Sequence, residues 1–151
     1  MGRRTRRCSG RGERGAAAVE FALLLPLLLL LVFGIIQYGL YFWAVQGGSD
    51  IARSAARRAA VGDPATCASF QTAVRRDIDS LTGTGAGATV RRTYTTASAT
   101  GVQVGDTVQV EVSFDSFDLQ LPFLPFVDRG RVTTTVETRV DFVPQQPQAC
   151  A

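Results

Sequence analysis

Few side chains in this 151-residue chain are placed to do chemistry, and the most conspicuous is a carboxylate. Glu20, in RGERGAAAVEFALLLP (residues 11–26), stands at the head of an apolar run. From Phe21 to Val45 there is no charged residue in 25 positions, and Gln37 is the one strongly polar side chain. A carboxylate in hydrocarbon is costly unless an opposite charge meets it or it stays near the headgroups. The remaining inventory excludes most catalysis. The chain has neither histidine nor lysine, which removes the serine–histidine triad, the Schiff-base nucleophile and the cation of a phosphate loop. Asp77 and Asp79 lie two apart on a predicted helix and so face apart. GTGAGA (83–88) has no lysine and no preceding strand, and reads as a flexible turn. No ligand cluster with metal spacing occurs. The expectation is a non-enzyme without metal or cofactor, taking no small-molecule substrate.

The elements that position Glu20 follow from length and charge. About 20 apolar residues cross the roughly 30 Å hydrocarbon core as a helix, so this run suffices. Pro26 should kink or loosen it. Residues 1–15 hold six arginines and one acid, a net +5, while the rest of the chain nets −2. The basic balance is therefore a topogenic leader and not a nucleic-acid face. The N-terminus is expected in the cytoplasm and everything after Val45 outside, with Tyr38, Tyr41 and Trp43 at the outer interface. That topology sorts the cysteines. Cys8 stays reduced, while Cys67 and Cys150 lie where a disulfide persists. They are expected to pair, with two buried free thiols as the alternative.

The apolar run is too long for a secretory signal, and CSGRGERG is a poor follow-on for a twin-arginine signal. A plain signal anchor leaves Glu20 unexplained. The segment instead resembles a type IV prepilin leader: basic residues, Gly15, then an apolar helix with Glu20 fifth and Phe21 sixth counting from Ala16. More closely, it is similar to the TadE-like minor pseudopilins of tight-adherence (Flp-type) pili. Gly15, Val19, Glu20, Phe21 and Ala22 carry the first motif, Pro26 the helix proline, and Phe33, Gly34, Ile35, Ile36 and Gly39 the last. The alanine- and arginine-rich DIARSAARRAAVGD follows. Gln37 departs from the acid of many relatives, and no role is carried onto it.

The resemblance implies cutting between Gly15 and Ala16 by a membrane prepilin peptidase. The new α-amine at Ala16 would then meet Glu20 of a neighbouring pilin or pseudopilin helix. It implies a role in pilus assembly or surface adhesion. The alternatives are an uncleaved single-pass envelope domain that binds a wall or surface ligand, and a secretion-system pseudopilin.

Beyond the membrane helix (16–45), residues 46–62 read as a helical stalk, interrupted at Gly47-Gly48, with Ile51, Ala55, Ala59 and Val61 as a weak apolar stripe. Arg53, Arg57 and Arg58 form a solvated face. In the head (63–151), Asp63-Pro64 is expected to cap a helix whose Cys67, Phe70, Val74, Ile78 and Leu81 share one face, ended by Gly83. Strands are expected at 88–96, 106–117 and 130–142. The last two alternate Val108, Val110, Val112, Phe114 and Val132, Thr134, Val136, Thr138, Val140, Phe142, which predicts one covered sheet face. Val102 and Val104 extend the middle strand. LQLPFLPFV (119–127) reads as a loop folded over the core or an exposed apolar contact. The fold class is α+β: a long N-terminal membrane helix, then a short helix on a small antiparallel sheet, as in pilins.

Overall fold

The computed structural model describes residues 11–64, 66–96, 101–121, 126–143 and 149–150, with backbone alone at 11–14, 127 and 128. The leader residues Arg3, Arg4, Arg6, Arg7 and Cys8, together with Pro122 and Pro125, lie outside the described residues. The chain divides into two compact units, residues 1–36 and 37–151.

Helix α1 runs from Arg11 to Ala60 over 50 residues. It starts four residues before Gly15, where a start just after Gly15 was expected. Pro26 lies inside it. It also passes unbroken through Gly47-Gly48, where an interruption was expected. Glycine costs a helix about 1 kcal/mol relative to alanine, and here packing outweighs that. A Cβ on Gly48 would lie 2.7 Å from Phe114 Cε1, and one on Gly47 2.6 Å from Leu81 Cδ1. The glycines let the head close on the helix.

Helix α2 (Cys67–Thr82) begins at an extended N-cap, Thr66, whose side chain accepts from the Ser69 N–H at 3.3 Å. The expected Asp63-Pro64 cap is therefore displaced by three residues: a hydroxyl at Thr66 reaches the first-turn amides. Gly83 ends α2 in the left-handed region at φ 71°, donating to the Asp79 carbonyl at 2.8 Å. Phe70, Val74 and Ile78 are buried, and Cys67 and Leu81 pack beside them, as the spacing predicts.

Strands β1 (Thr89–Thr95), β2 (Thr107–Asp115) and β3 (Arg131–Arg139) form an antiparallel meander in the order β1-β2-β3. Val90 faces Val112, and Val110 faces Val136. Val108, Val110, Val112 and Phe114 are all buried, against Ala44, Ala52, Ala55, Ala56, Ala59 and Ala60 of α1 and the apolar face of α2 in one core. The helices cover one sheet face. Alternation stops after Val140. The amides of Asp141 and Phe142 both donate to the Ala60 carbonyl, at 2.9 and 3.0 Å, so the chain turns off the sheet and leaves Phe142 60% exposed. Val104 is also exposed, in a turn and not in β2: Gln103 N–H donates to Asp106 Oδ2 at 2.7 Å. The glycine run is a single 3-10 turn at Gly85–Gly87. It is held by Thr84 Oγ1 donating to the Asp115 carbonyl at 2.8 Å and Gly85 N–H to Asp79 Oδ1 at 3.3 Å.

Candidate functional site

The first unit presents the helix end that the sequence singles out. Gly15, Ala16, Glu20 and Phe21 all lie on α1 and are exposed. Gly15–Ala16 is thus a helical peptide bond in the second turn of α1, just past the first-turn amides that lack carbonyl partners. Glycine there lowers the cost of opening the backbone. Around and beyond Glu20 the apolar side chains are open on every side: Val19, Phe21, Leu23, Leu24, Leu27, Leu28, Phe33 and Ile35 are 43–75% exposed. A helix apolar all round belongs in a nonpolar medium or against other helices. The helix reaches a windowed mean hydropathy of 2.8, long and apolar enough to cross a membrane.

The second unit seats the rest of α1. Gln37, Ala44, Gly48, Ala52, Ala55 and Ala59 are buried, at spacings of seven, four and three that define one stripe. The expected stripe of Ile51, Ala55, Ala59 and Val61 holds at the two alanines, while Ile51 is half-buried and Val61 exposed. Arg58 pairs with Asp77 of α2. Of the expected solvated arginines, Arg53 and Arg57 remain on the exposed face.

Gln37 is the residue that sequence reasoning passed over. Only 3% exposed, its Nε2 donates to the Phe117 carbonyl at 2.9 Å and its Oε1 accepts from the Leu119 N–H at 2.8 Å. It treats residues 117–119 as a strand would. The signal was present: a lone amide in an apolar run must find both a donor and an acceptor partner when buried. A carboxylate at this position would have no proton for the Phe117 carbonyl. Gln37→Glu is therefore expected to cost about 1–3 kcal/mol and to speed exchange of the Leu119 amide, which hydrogen exchange at that residue would read.

Below Gln37, Phe126 sets its ring edge-on to Tyr41 at 5.6 Å and Tyr38 at 6.5 Å. The apolar loop is thus tied back at both ends, while Phe117 and Leu119 keep their side chains 42% and 43% exposed. Of the aromatics expected at the interface, Trp43 is open and Tyr38 and Tyr41 are half-buried.

A second unforeseen feature is Arg92. It takes an inward position between Val90 and Tyr94, 1% exposed. Its guanidinium lies 4.5 Å from the Phe70 ring centroid and 5.8 Å from that of Tyr94, and Nη1 donates to the Pro64 carbonyl at 3.1 Å. Burial holds the Arg92 guanidinium below its ordinary pKa, with Tyr94 opposing the shift. Burial likewise raises the Tyr94 phenol, with Arg92 opposing. The period-two pattern through RRTYTT signalled this, because Val90 inward places Arg92 inward. The main chain of Arg92 is paired as well: its N–H donates to the Cys150 carbonyl at 3.0 Å and its carbonyl accepts from Cys150 N–H at 2.7 Å. Cys150 is joined to Cys67, with Cα atoms 5.4 Å apart. Gln71 Nε2 and Arg75 Nε cover the same edge, donating to the Val90 and Ala88 carbonyls at 3.0 and 3.1 Å. The outer edge of β1 is therefore covered at Val90 and Arg92.

The structure thus defines a class: a small α+β head on one long N-terminal helix with a segment able to cross a membrane. Residues 15–60 match the model of the TadE-like protein family, so over that segment the chain is similar to TadE-like proteins. The match ends where α1 ends. Neither the curated proteins nor the solved structures yield a match.

Proposed function

We propose that this chain is a membrane-anchored minor pilin or pseudopilin of a tight-adherence pilus, structural and not catalytic. In this reading it is inserted with the N-terminus in the cytoplasm and the head outside. A prepilin peptidase removes residues 1–15, and the protein acts in assembly through helix-to-helix packing with other pilin subunits. The observation that supports it most is the coincidence of a TadE-like segment over 15–60 with a helix whose apolar residues stand open around Glu20. Such a surface needs lipid or sister helices. A carboxylate at its head needs a cation, which a newly cut Ala16 amine supplies near neutral pH.

The test is the N-terminal sequence of the protein taken from its native membrane, beside a Gly15→Arg variant. The reading expects a mature chain beginning at Ala16, and loss of that species in the variant. A wild-type chain that keeps its leader would instead mark an uncleaved envelope domain. Glu20→Ala is expected to leave cleavage intact and reduce assembly by tenfold or more, since removing one partner leaves the other charge buried and unpaired. Counting surface pili and cross-linked subunits measures this, and normal assembly would remove the role given to Glu20.

A further inference from the structure

Where α1 meets β3 there is an open cleft of about 490 Å³ lined by Tyr41, Arg129, Arg131 and Thr133. Among the described residues that lining is two arginines, a tyrosine and a threonine, without an acid. Arg129 and Arg131 flank Gly130 and are both exposed. Neither has an ion-pair partner among the described residues. Asp115, opposite Arg131 in the sheet register, forms no salt bridge with it.

Local structure holds the two arginines together. Arg129 and Gly130 both take left-handed backbone, at φ 55° and 77°. A non-glycine residue rarely sits there, and a Cβ on Gly130 would strike the Phe126 ring. The Arg129 N–H closes the turn on the Phe126 carbonyl at 3.3 Å, and Phe126 in turn is set against Tyr41. Arg131 Nε donates to Ser113 Oγ at 2.9 Å, and Ser113 Oγ lies 3.0 Å from Thr133 Oγ1. Ser113 is 7% exposed, so Arg131 is anchored at one nitrogen.

Main-chain donors add to the charge. The Gly130 carbonyl and both main-chain groups of Val140 bond toward the β2 side. Main-chain groups alternate along a strand, so Arg131 and Thr133 turn theirs to the open edge of β3. Two arginines with no ion-pair partner among the described residues, beside edge amides, are chemistry for a phosphate.

Height along the helix suggests where that phosphate comes from. Tyr41 lies at the outer end of the uncharged run, beside Phe42 and Trp43, which are 60% and 48% exposed. Aromatic residues mark the headgroup layer. We infer that the cleft of Tyr41, Arg129, Arg131 and Thr133 binds a phosphate-bearing anion at the outer membrane surface, an acidic lipid headgroup or free phosphate. This rests on the reading of α1 as a membrane helix, and not on pilus assembly.

The full chain in neutral detergent, followed by native mass spectrometry during titration with phosphatidylglycerol or phosphatidylcholine, tests it. Wild type is expected to hold phosphatidylglycerol about thirtyfold more tightly, the order expected for two basic side chains near an acidic surface. Arg129→Gln with Arg131→Gln should abolish that preference. The charge-matched pair Arg76→Gln with Arg91→Gln, exposed elsewhere, should keep it. Displacement of the lipid by millimolar inorganic phosphate would assign the site to free phosphate, and resistance to displacement would assign it to lipid. Equal affinity for the two lipids, or equal loss in both double variants, would overturn the proposal. Unfolding midpoints of the variants guard against misfolding. Flotation with phosphatidylcholine vesicles checks the membrane reading by itself, so the two failures are distinguishable.

Discussion

Replacing both outer cysteines, Cys67→Ala with Cys150→Ala, is expected to lower the stability of the head by about 4 kcal/mol. The bond joins residues 83 apart in sequence, and chain-entropy arithmetic for a loop of that size gives an upper figure of roughly 4–5 kcal/mol. The effect is large in proportion, because the core is built from small side chains. Alanines of α1 and valines of the sheet dominate it, with Phe70, Ile78 and Phe114 as its bulkiest apolar members. A small domain with a thin core depends on a covalent staple. The loss should also be local. Cys150 supplies both main-chain bonds that close the β1 edge at Arg92, so freeing the tail exposes that edge. Denaturant unfolding of the full chain in detergent would give the first quantity. Amide exchange at Arg92, compared with Val110 in β2, would give the second. An unchanged midpoint would mean that the helices alone hold the sheet.

Gly48→Val is expected to destabilise the same head by about 3 kcal/mol, through overpacking against a side chain that cannot yield. Phe114 is completely buried, and a Cβ on Gly48 would lie within 2.7 and 2.8 Å of two of its ring carbons and 3.5 Å from Val132 Cγ1. Gly47→Val should cost less, because the obstructing atoms are the methyl ends of Leu81, which is only partly buried. Gly39→Ala is the control. Nothing stands within 4 Å of a Cβ there, so the gain in helix propensity, about 1 kcal/mol, is unopposed. Unfolding midpoints in one detergent would rank the three. A Gly48→Val protein as stable as wild type would show that the glycine is not needed for close approach.

Local patterns were legible wherever one rule governed a stretch. The uncharged run with Glu20 at its head determined a long apolar helix, and the motif around Gly15, Val19, Glu20 and Phe21 carried the TadE-like resemblance that residues 15–60 match. The three-four spacing from Cys67 to Leu81 and the alternation from Val108 to Phe114 located α2 and β2, because each period has only one way to bury its apolar side. Both outer cysteines were matched by topology and number alone.

Tertiary structure decided the rest. Gly47-Gly48 read as a break by propensity, yet continues the helix because Leu81 and Phe114, far away in sequence, occupy the space a side chain would need. Phe142 kept the alternation of its strand and still points outward, because two amides bind the last carbonyl of α1. Gln37 and Arg92 looked like a stray amide and an ordinary strand arginine. Their partners, the Phe117 and Leu119 main chain for one and Phe70, Pro64 and Cys150 for the other, are brought to them only by the closed fold. What a sequence determines by itself is periodicity and charge. Which polar group is satisfied, and which glycine is indispensable, depends on atoms that no local window contains.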